Sequence, residues 1–307
     1  MRLFNHGNTE SRKHGRLAAS LVCSGLVLFL LAGCGKPAGN AGGKMIVAAS
    51  IAPLADFCKQ VGGDWVKVEM LVPPGSNPHV YQIEPDQMAM LSKASVLVLN
   101  GVNLEFWADN VINAADNPKL IVVRTADGLR ILDHSEGEGA AGNPHVWVDP
   151  VNAIHQVENI RDAFVKADPP HAAHYRANAS RYIGKLRKLD ADIRAEVADF
   201  KSKSFVAFHP TWVYFAHQYG LVEAANIEQS PGKEPSPQDI ARAVDTAKRL
   251  KAKAIFTEPQ MSPKAAEVVA DEVGAKVLIL DAFGKPPGYD YIETMRENLR
   301  VMAEALK

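Results

Sequence analysis

From His171 to Phe200 apolar side chains recur every three or four positions without a break: Tyr175, Ala179, Tyr182, Leu186, Leu189, Ile193, Val197 and Phe200. That spacing predicts one amphipathic helix over the whole stretch. At 1.5 Å per residue it would run ~45 Å, longer than one domain of this size needs, so it reads as a bridge. On either side of it short apolar runs alternate with helical patterns, the mark of α/β layers built on parallel sheets. Before the bridge the strands are Met45 to Ala49, Val66 to Val72, Ser95 to Leu99 and Leu120 to Val123. After it they are Ser204 to Phe208, Leu221 to Ile227, Ala254 to Thr257 and Lys276 to Leu280, and Tyr291 to Leu306 closes the chain as a helix. The fold class is therefore α/β: two lobes, each a mostly parallel sheet flanked by helices, joined by one long rigid helix. We place the N-terminal lobe at 45–169, the linking helix at 170–200 and the C-terminal lobe at 201–307.

The first residues belong to a different task. Arg2, Arg12, Lys13 and Arg16 precede an apolar run from Leu17 to Leu31, the form of an export signal. Leu31-Ala32-Gly33-Cys34 resembles a bacterial lipobox, in which the signal is cut before the cysteine and its thiol is lipidated. Residues 1–33 are then a signal peptide and 34–44, rich in Gly and Ala, a flexible tether. The acyl chains on Cys34 would anchor an otherwise soluble domain to a membrane. Removing 1–33 takes four Lys/Arg from 34 and one acid from 35, leaving 30 against 34, a net charge of −4 that gives no reason to expect nucleic acid. Cys23 leaves with the signal and Cys34 is lipidated, so Cys58 has no intramolecular partner and a disulfide framework is excluded. Within Leu54, Phe57, Cys58, Val61 it reads as a small core residue.

Two tripeptides repeat: Asn77-Pro78-His79 and Asn143-Pro144-His145, each followed by Val. In both, the proline fixes its own φ and holds the preceding residue extended, leaving an imidazole on a stiff, non-helical tip. His209, with Pro210 beside it, ends one apolar run, and Asp281 ends another. Three neutral imidazoles and a carboxylate are a complete tetrahedral set for zinc. Ligands in open α/β sheets collect outside the C-terminal ends of strands, where His79, His209 and Asp281 are placed. Any one loop histidine is ordinarily just solvated; the joint pattern is what points to metal. Glu258, at a strand end, reads as an acceptor that orients a ligand imidazole, or equally as a cap or turn residue. His134, beside Glu136 and Glu138, reads as an exposed loop histidine, and His171 and His174 fall off the apolar stripe as solvated residues. His155 and His217 read as surface or core-edge residues.

On these residues the chain resembles the zinc/manganese solute-binding lipoproteins of bacterial ABC importers, over essentially all of 45–307. The resemblance is carried by Pro74-Gly75-Ser76-Asn77-Pro78-His79, Asn143-Pro144-His145-Val146-Trp147 with Asp149-Pro150, Phe208-His209 with Tyr214-Phe215, and Glu258-Pro259-Gln260 with Asp281. It implies two α/β lobes with metal held between them and delivered to an ABC importer's membrane permease, from a periplasmic or extracytoplasmic position, by a monomer that is not an enzyme. Zinc members often carry a long histidine-rich loop before the second ligand, where this chain has only His134. Manganese members tend to have glutamate at the third ligand, where this chain has His209. Imidazole is softer than carboxylate, so the expected cargo is Zn2+, with Mn2+ the alternative. Two other functions compete. A zinc hydrolase with Glu258 as general base would need an open coordination position, and a surface adhesin would carry the metal incidentally.

Overall fold

The computed structural model describes residues 43–132, 142–228, 232–284 and 288–307. The signal segment, Cys34, His134 and the acids around it lie outside the described residues.

Strand β1 (Met45–Ala49), helix α1 (Ala52–Gly62), β2 (Val66–Met70), α2 (Pro85–Leu91), β3 (Val96–Leu99), α3 (Ala108–Ala114), β4 (Ile121–Arg124) and α4 (Pro150–Ala167) precede the long helix α5 (Ala172–Ala198). After it come β5 (Ser204–Ala207), α6 (Val213–Tyr219), β6 (Val222–Asn226), α7 (Pro237–Leu250), β7 (Ala254–Thr257), α8 (Lys264–Val273), β8 (Lys276–Ile279) and α9 (Tyr291–Leu306). The strands form two four-stranded sheets, ordered β2-β1-β3-β4 and β6-β5-β7-β8. Every pairing is parallel. The order in the second sheet repeats that of the first, so each has its reversal point between its first and third strands.

Alternation along the strands assigns their two faces. In β3, Val96 and Val98 point into the core shared with α5, while Leu97 and Leu99 point to the far side, against Leu91 of α2 and Val111 of α3. In β5, Phe205 and Ala207 face inward, and Val206 packs outward with Ala243 of α7 and Val269 of α8. Burial on both faces is why these strands read as almost wholly apolar. The inner cluster is continuous from one sheet to the other, running through Phe57 and Cys58 of α1, Phe164 of α4, Tyr182 and Leu186 of α5, Phe215 of α6 and Tyr291 and Met302 of α9. The two sheets thus share one core around α5, in addition to a private core on each outer face.

The long helix is a little shorter than its apolar repeat suggests. Pro169–His171 form a 3-10 turn and the regular helix ends at Ala198, giving about 40 Å over its 27 residues. Prolines do what their positions require: Pro150 and Pro237 sit at the first turns of α4 and α7, where their missing N–H costs nothing. Asp149 caps α4 by accepting from Val151 N at 2.8 Å. The second strand was expected to reach Val72. Regular β2 stops at Met70, but Leu71 and Val72 still donate to Ala49 and Ser50, and pairing ends only where Pro73 removes the next donor. Cys58 is fully buried, and its thiol is held well above its ordinary value by burial and by Asp56.

Because the inner core is common to both sheets, the two halves should unfold together. Leu186, with no exposed surface, is the test: Leu186→Ala should lower stability by about 2–5 kcal/mol in urea while leaving a single transition. Two resolved transitions, one per sheet, would refute a shared core.

Candidate metal centre

The three histidines come from separate segments and meet. His79 follows β2, His145 ends the segment after β4, and His209 stands two residues past β5. One ring nitrogen from each lies within 4.8 Å of the other two. The three ring centroids are 5.0 Å apart in every pairing, so the imidazoles form an equilateral cluster. His79 Nε2 and His145 Nε2 face each other at 3.1 Å. Two imidazole nitrogens on one tetrahedral zinc would be separated by about 3.3 Å, given bonds of ~2.0–2.1 Å. His145 and His209 have no exposed surface, and His79 is half-buried. Burial, then the neighbouring His209, brings His79 down to about 3, so its ring is neutral at physiological pH. A neutral ring keeps the lone pair that a cation needs.

The repeated tripeptide works through its asparagine as well as its proline. Asn77 Oδ1 accepts from the backbone N–H of His79 at 3.0 Å, and Asn143 Oδ1 accepts from that of His145 at 2.9 Å. Each asparagine thereby closes a tight turn under the histidine that follows it. Asn143 Oδ1 also lies 3.0 Å from His145 Nδ1, which places the proton there and leaves Nε2 to face the other rings.

The segment carrying His145 is tied to both sheets. Asn100, at the end of β3, donates from Nδ2 to Pro144 O at 2.8 Å. Glu105 fixes Asn100 in turn: its carboxyl accepts from Ser50 Oγ, Asn100 N and Gly101 N at the reversal point between β1 and β3. Burial raises the Glu105 carboxyl, and those three donors act against it. Toward the second sheet, Asn143 Nδ2 donates to Pro210 O, Tyr214 Oη to Asn143 O, Trp147 Nε1 to Ala282 O, and Tyr291 Oη to Trp147 O, at 2.7 to 2.9 Å. Asn143, Trp147 and Tyr214 stand in the motifs that carry the resemblance, but their role as ties between the segments needs the fold, and Glu105 and Asn100 belong to none of those motifs. In the sequence Asn100-Gly101 reads as a turn, and Tyr214 as a helix residue.

The acidic residues near the strand ends are each held by named donors. Asp281 Oδ1 accepts from Phe283 N at 3.1 Å and Gly284 N at 2.6 Å. Glu258 Oε1 accepts from Thr211 Oγ1, two residues past His209. Burial raises Glu258 to about 8; the Thr211 hydroxyl opposes that shift, and the charges of Glu228 and Asp281 add to it. The carboxylate at His209 Nδ1 is that of Glu228, with Oε2 3.1 Å away. In the sequence Glu228 belongs to no motif and simply follows the apolar run Leu221 to Ile227. The one available signal was that it ends the run β6, as the other candidate residues end theirs. Glu228 is raised to about 7 by burial, with the Gly232 N–H acting against it.

The remaining described histidines stand apart from this centre. His171 is not simply solvated: its ring stacks on Trp65 at 3.8 Å and its Nδ1 lies 2.7 Å from Asp168 Oδ2. His174 is exposed, 5.2 Å from the same indole. His155 Nε2 lies 2.7 Å from Asp127 O, and His217 is exposed.

Two parallel α/β sheets sharing a core around one long helix, with a buried histidine cluster at their strand ends, define a two-lobed metal-binding protein of the solute-binding type. The family described as zinc-uptake complex component A, periplasmic, matches residues 47–305, and the chain belongs to that family. The high-affinity zinc uptake system protein ZnuA of Bacillus subtilis (strain 168) is 30% identical over 300 residues, spanning 91% of this chain and 94% of its own length. The zinc-binding lipoprotein AdcA of Streptococcus pneumoniae (strain ATCC BAA-255 / R6) is 30% identical over 93% of this chain, which spans 60% of that longer relative. The crystal structure of ZnuA superposes with a TM-score of 0.79 at 32% identity, over 86% of this chain and 99% of that one.

Glu258 gives a test of the centre's electrostatics that needs no metal. Its folded-state value of about 8 lies above the ordinary 4.5, so the folded chain binds more protons than the unfolded one in that window. Its contribution to stability is present below pH ~4.5 and is lost as pH rises toward ~8, at up to about 1.4 kcal/mol per pH unit. Glu258→Gln keeps an acceptor for Thr211 but does not titrate. In EDTA-treated protein the urea midpoint should fall less between pH 6 and 8 in Glu258→Gln than in wild type. Parallel profiles would show that Glu258 is already ionised in the folded chain by pH 6.

Proposed function

We propose that this chain is an extracytoplasmic zinc carrier. It captures Zn2+ on His79, His145 and His209, with Asp281 as the fourth ligand, and hands the ion to the membrane permease of an ABC importer. The observation that carries the reading is the equilateral, buried arrangement of three imidazoles, at least one of them held neutral far below its usual range. Membership of a family described by zinc uptake, and relatives named for zinc uptake and zinc binding, support zinc as cargo. Nitrogen from His209 at the third position favours zinc over manganese, which prefers oxygen donors. The two N–H donors on Asp281 Oδ1 fix its carboxylate at the end of β8, a rigid mounting for a fourth ligand. Four protein ligands leave no open position for a reacting water, so the site is that of a carrier and not of an enzyme.

The domain division follows the same reading: an N-terminal lobe at 45–169, the linking helix at 170–200 and a C-terminal lobe at 201–307, acting as a monomer. Cys34 is the site of lipidation, which holds the carrier at the membrane beside its permease. The lipoprotein naming of one relative supports that anchor. No helix among the described residues is long and apolar enough to cross a membrane.

Metal analysis of the purified protein should find one zinc per chain, retained against equimolar manganese. His209→Ala should weaken zinc binding by more than roughly 100-fold, beyond the 10- to 100-fold typical when only a ligand's outer partner is removed. Asp281→Ala should weaken it while leaving stoichiometry at one. Stoichiometric manganese in place of zinc would overturn the cargo assignment. In cell fractionation Cys34→Ala should move the protein from membrane to soluble fractions, and continued retention would count against the anchor.

A further inference from the structure

His145 and His209 each need something to decide which ring nitrogen carries the proton. For His145 it is the amide of Asn143. For His209 the candidate is a carboxylate. Glu228 is 4% exposed, and its Oε2 lies 3.1 Å from His209 Nδ1. Its backbone is held to His209's own strand: Glu228 N donates to Phe208 O at 2.7 Å, and Asn226 registers with Ala207 in the β5–β6 pairing. Its other oxygen, Oε1, accepts from Gly232 N at 3.0 Å. Among the described residues no other hydrogen-bond donor reaches the buried Oε2, which leaves the ring nitrogen of His209, 3.1 Å away, as its polar neighbour there.

We infer that Glu228 is the positioning residue of the third histidine: it accepts Nδ1–H of His209 and thereby presents Nε2 to the bound ion. The inference rests on the zinc-carrier reading above and deepens it. A neutral imidazole has one N–H, and an anionic acceptor at Nδ1 fixes both the tautomer and the ring plane while making Nε2 a stronger donor. The amide at His145 fixes the tautomer without adding charge, so the two buried histidines would bind the ion unequally. Glu258, the residue directly after β7 and bonded to Thr211, acts on the turn that follows His209 rather than through this path.

The test uses the full chain with Glu228→Gln, which keeps the shape and an acceptor but loses the charge, and Glu228→Ala, which loses both. Zinc affinity is measured by chelator competition, and the protonated nitrogen of His209 is read from its ring 15N shifts in the zinc-loaded protein. Zinc affinity should fall roughly 10- to 100-fold in Glu228→Ala and by less in Glu228→Gln, with one zinc per chain retained. Wild-type His209 should carry its proton on Nδ1. Affinities of both variants within twofold of wild type, or a wild-type His209 protonated on Nε2, would overturn the inference. A lowered urea midpoint in the metal-free variants with zinc affinity unmoved would give Glu228 a merely structural role and also overturn it. Should Glu228→Ala fail to fold, the near-isosteric Glu228→Gln and the wild-type tautomer decide. Wild type binding no zinc would sink the carrier reading and this inference together; wild type binding one zinc with both variants unaffected would sink this inference alone.

Discussion

Everything at the centre depends on holding three imidazoles, their ring centroids 5.0 Å apart, in a buried site. Burial first, and the neighbouring His209 after it, is the physical reason His79 sits so far below its ordinary value. The same burial acts in the opposite direction on the acids. Glu228 and Glu258 are both raised, so the centre resists positive charge on nitrogen and negative charge on oxygen alike. A divalent cation answers both demands, since it takes up lone pairs from the rings and favours the charged form of nearby carboxylates.

The fold was legible in the sequence to the extent that it follows from periodicity. Doubly buried strands such as Val96–Leu99 declare themselves as unbroken apolar runs, and α5 as a stripe sustained along its 27 residues. The three histidines were legible because proline marks their tips. What was missed shares a cause: it depends on side chains that reach across the chain. Asn143 stands beside its histidine and was quoted, yet its role as an acceptor needs the turn geometry. Glu228 lies 19 positions from His209, and only the pairing of β6 with β5 puts its carboxylate at the ring. Glu105 is anonymous in the sequence, although it organises the reversal point of the first sheet through Ser50 and Asn100. Asp281 was read as the fourth member on the strength of its strand end. The structure gives one of its oxygens to the turn at Phe283 and Gly284.

The symmetry of the two sheets conceals an asymmetry in their loops. The first-sheet loop Gly101-Val102-Asn103 runs through three consecutive left-handed residues, with φ of 90°, 53° and 59°, an unusual state for a β-branched valine. The Glu105 carboxyl, bonded to the backbone just before it, is what holds that strain in place. The second sheet uses its strand ends for His209, Glu228, Glu258 and Asp281, one from each strand. The first half therefore supplies His79 and His145 beside a braced loop, and the second a row of groups, one from each of its strands.

The four hydrogen bonds that pin the His145 segment to the second sheet carry a consequence for traffic. With that side sewn shut and a continuous apolar interior behind it, the halves cannot swing apart like the covers of a book without tearing Trp147 and Tyr291 from their partners. Val80, next to His79 and largely exposed, meets Gly232 so closely that a β-carbon there would fall 2.7 Å from the valine methyl, so any side chain at 232 would have to push the valine beside a ligand histidine aside.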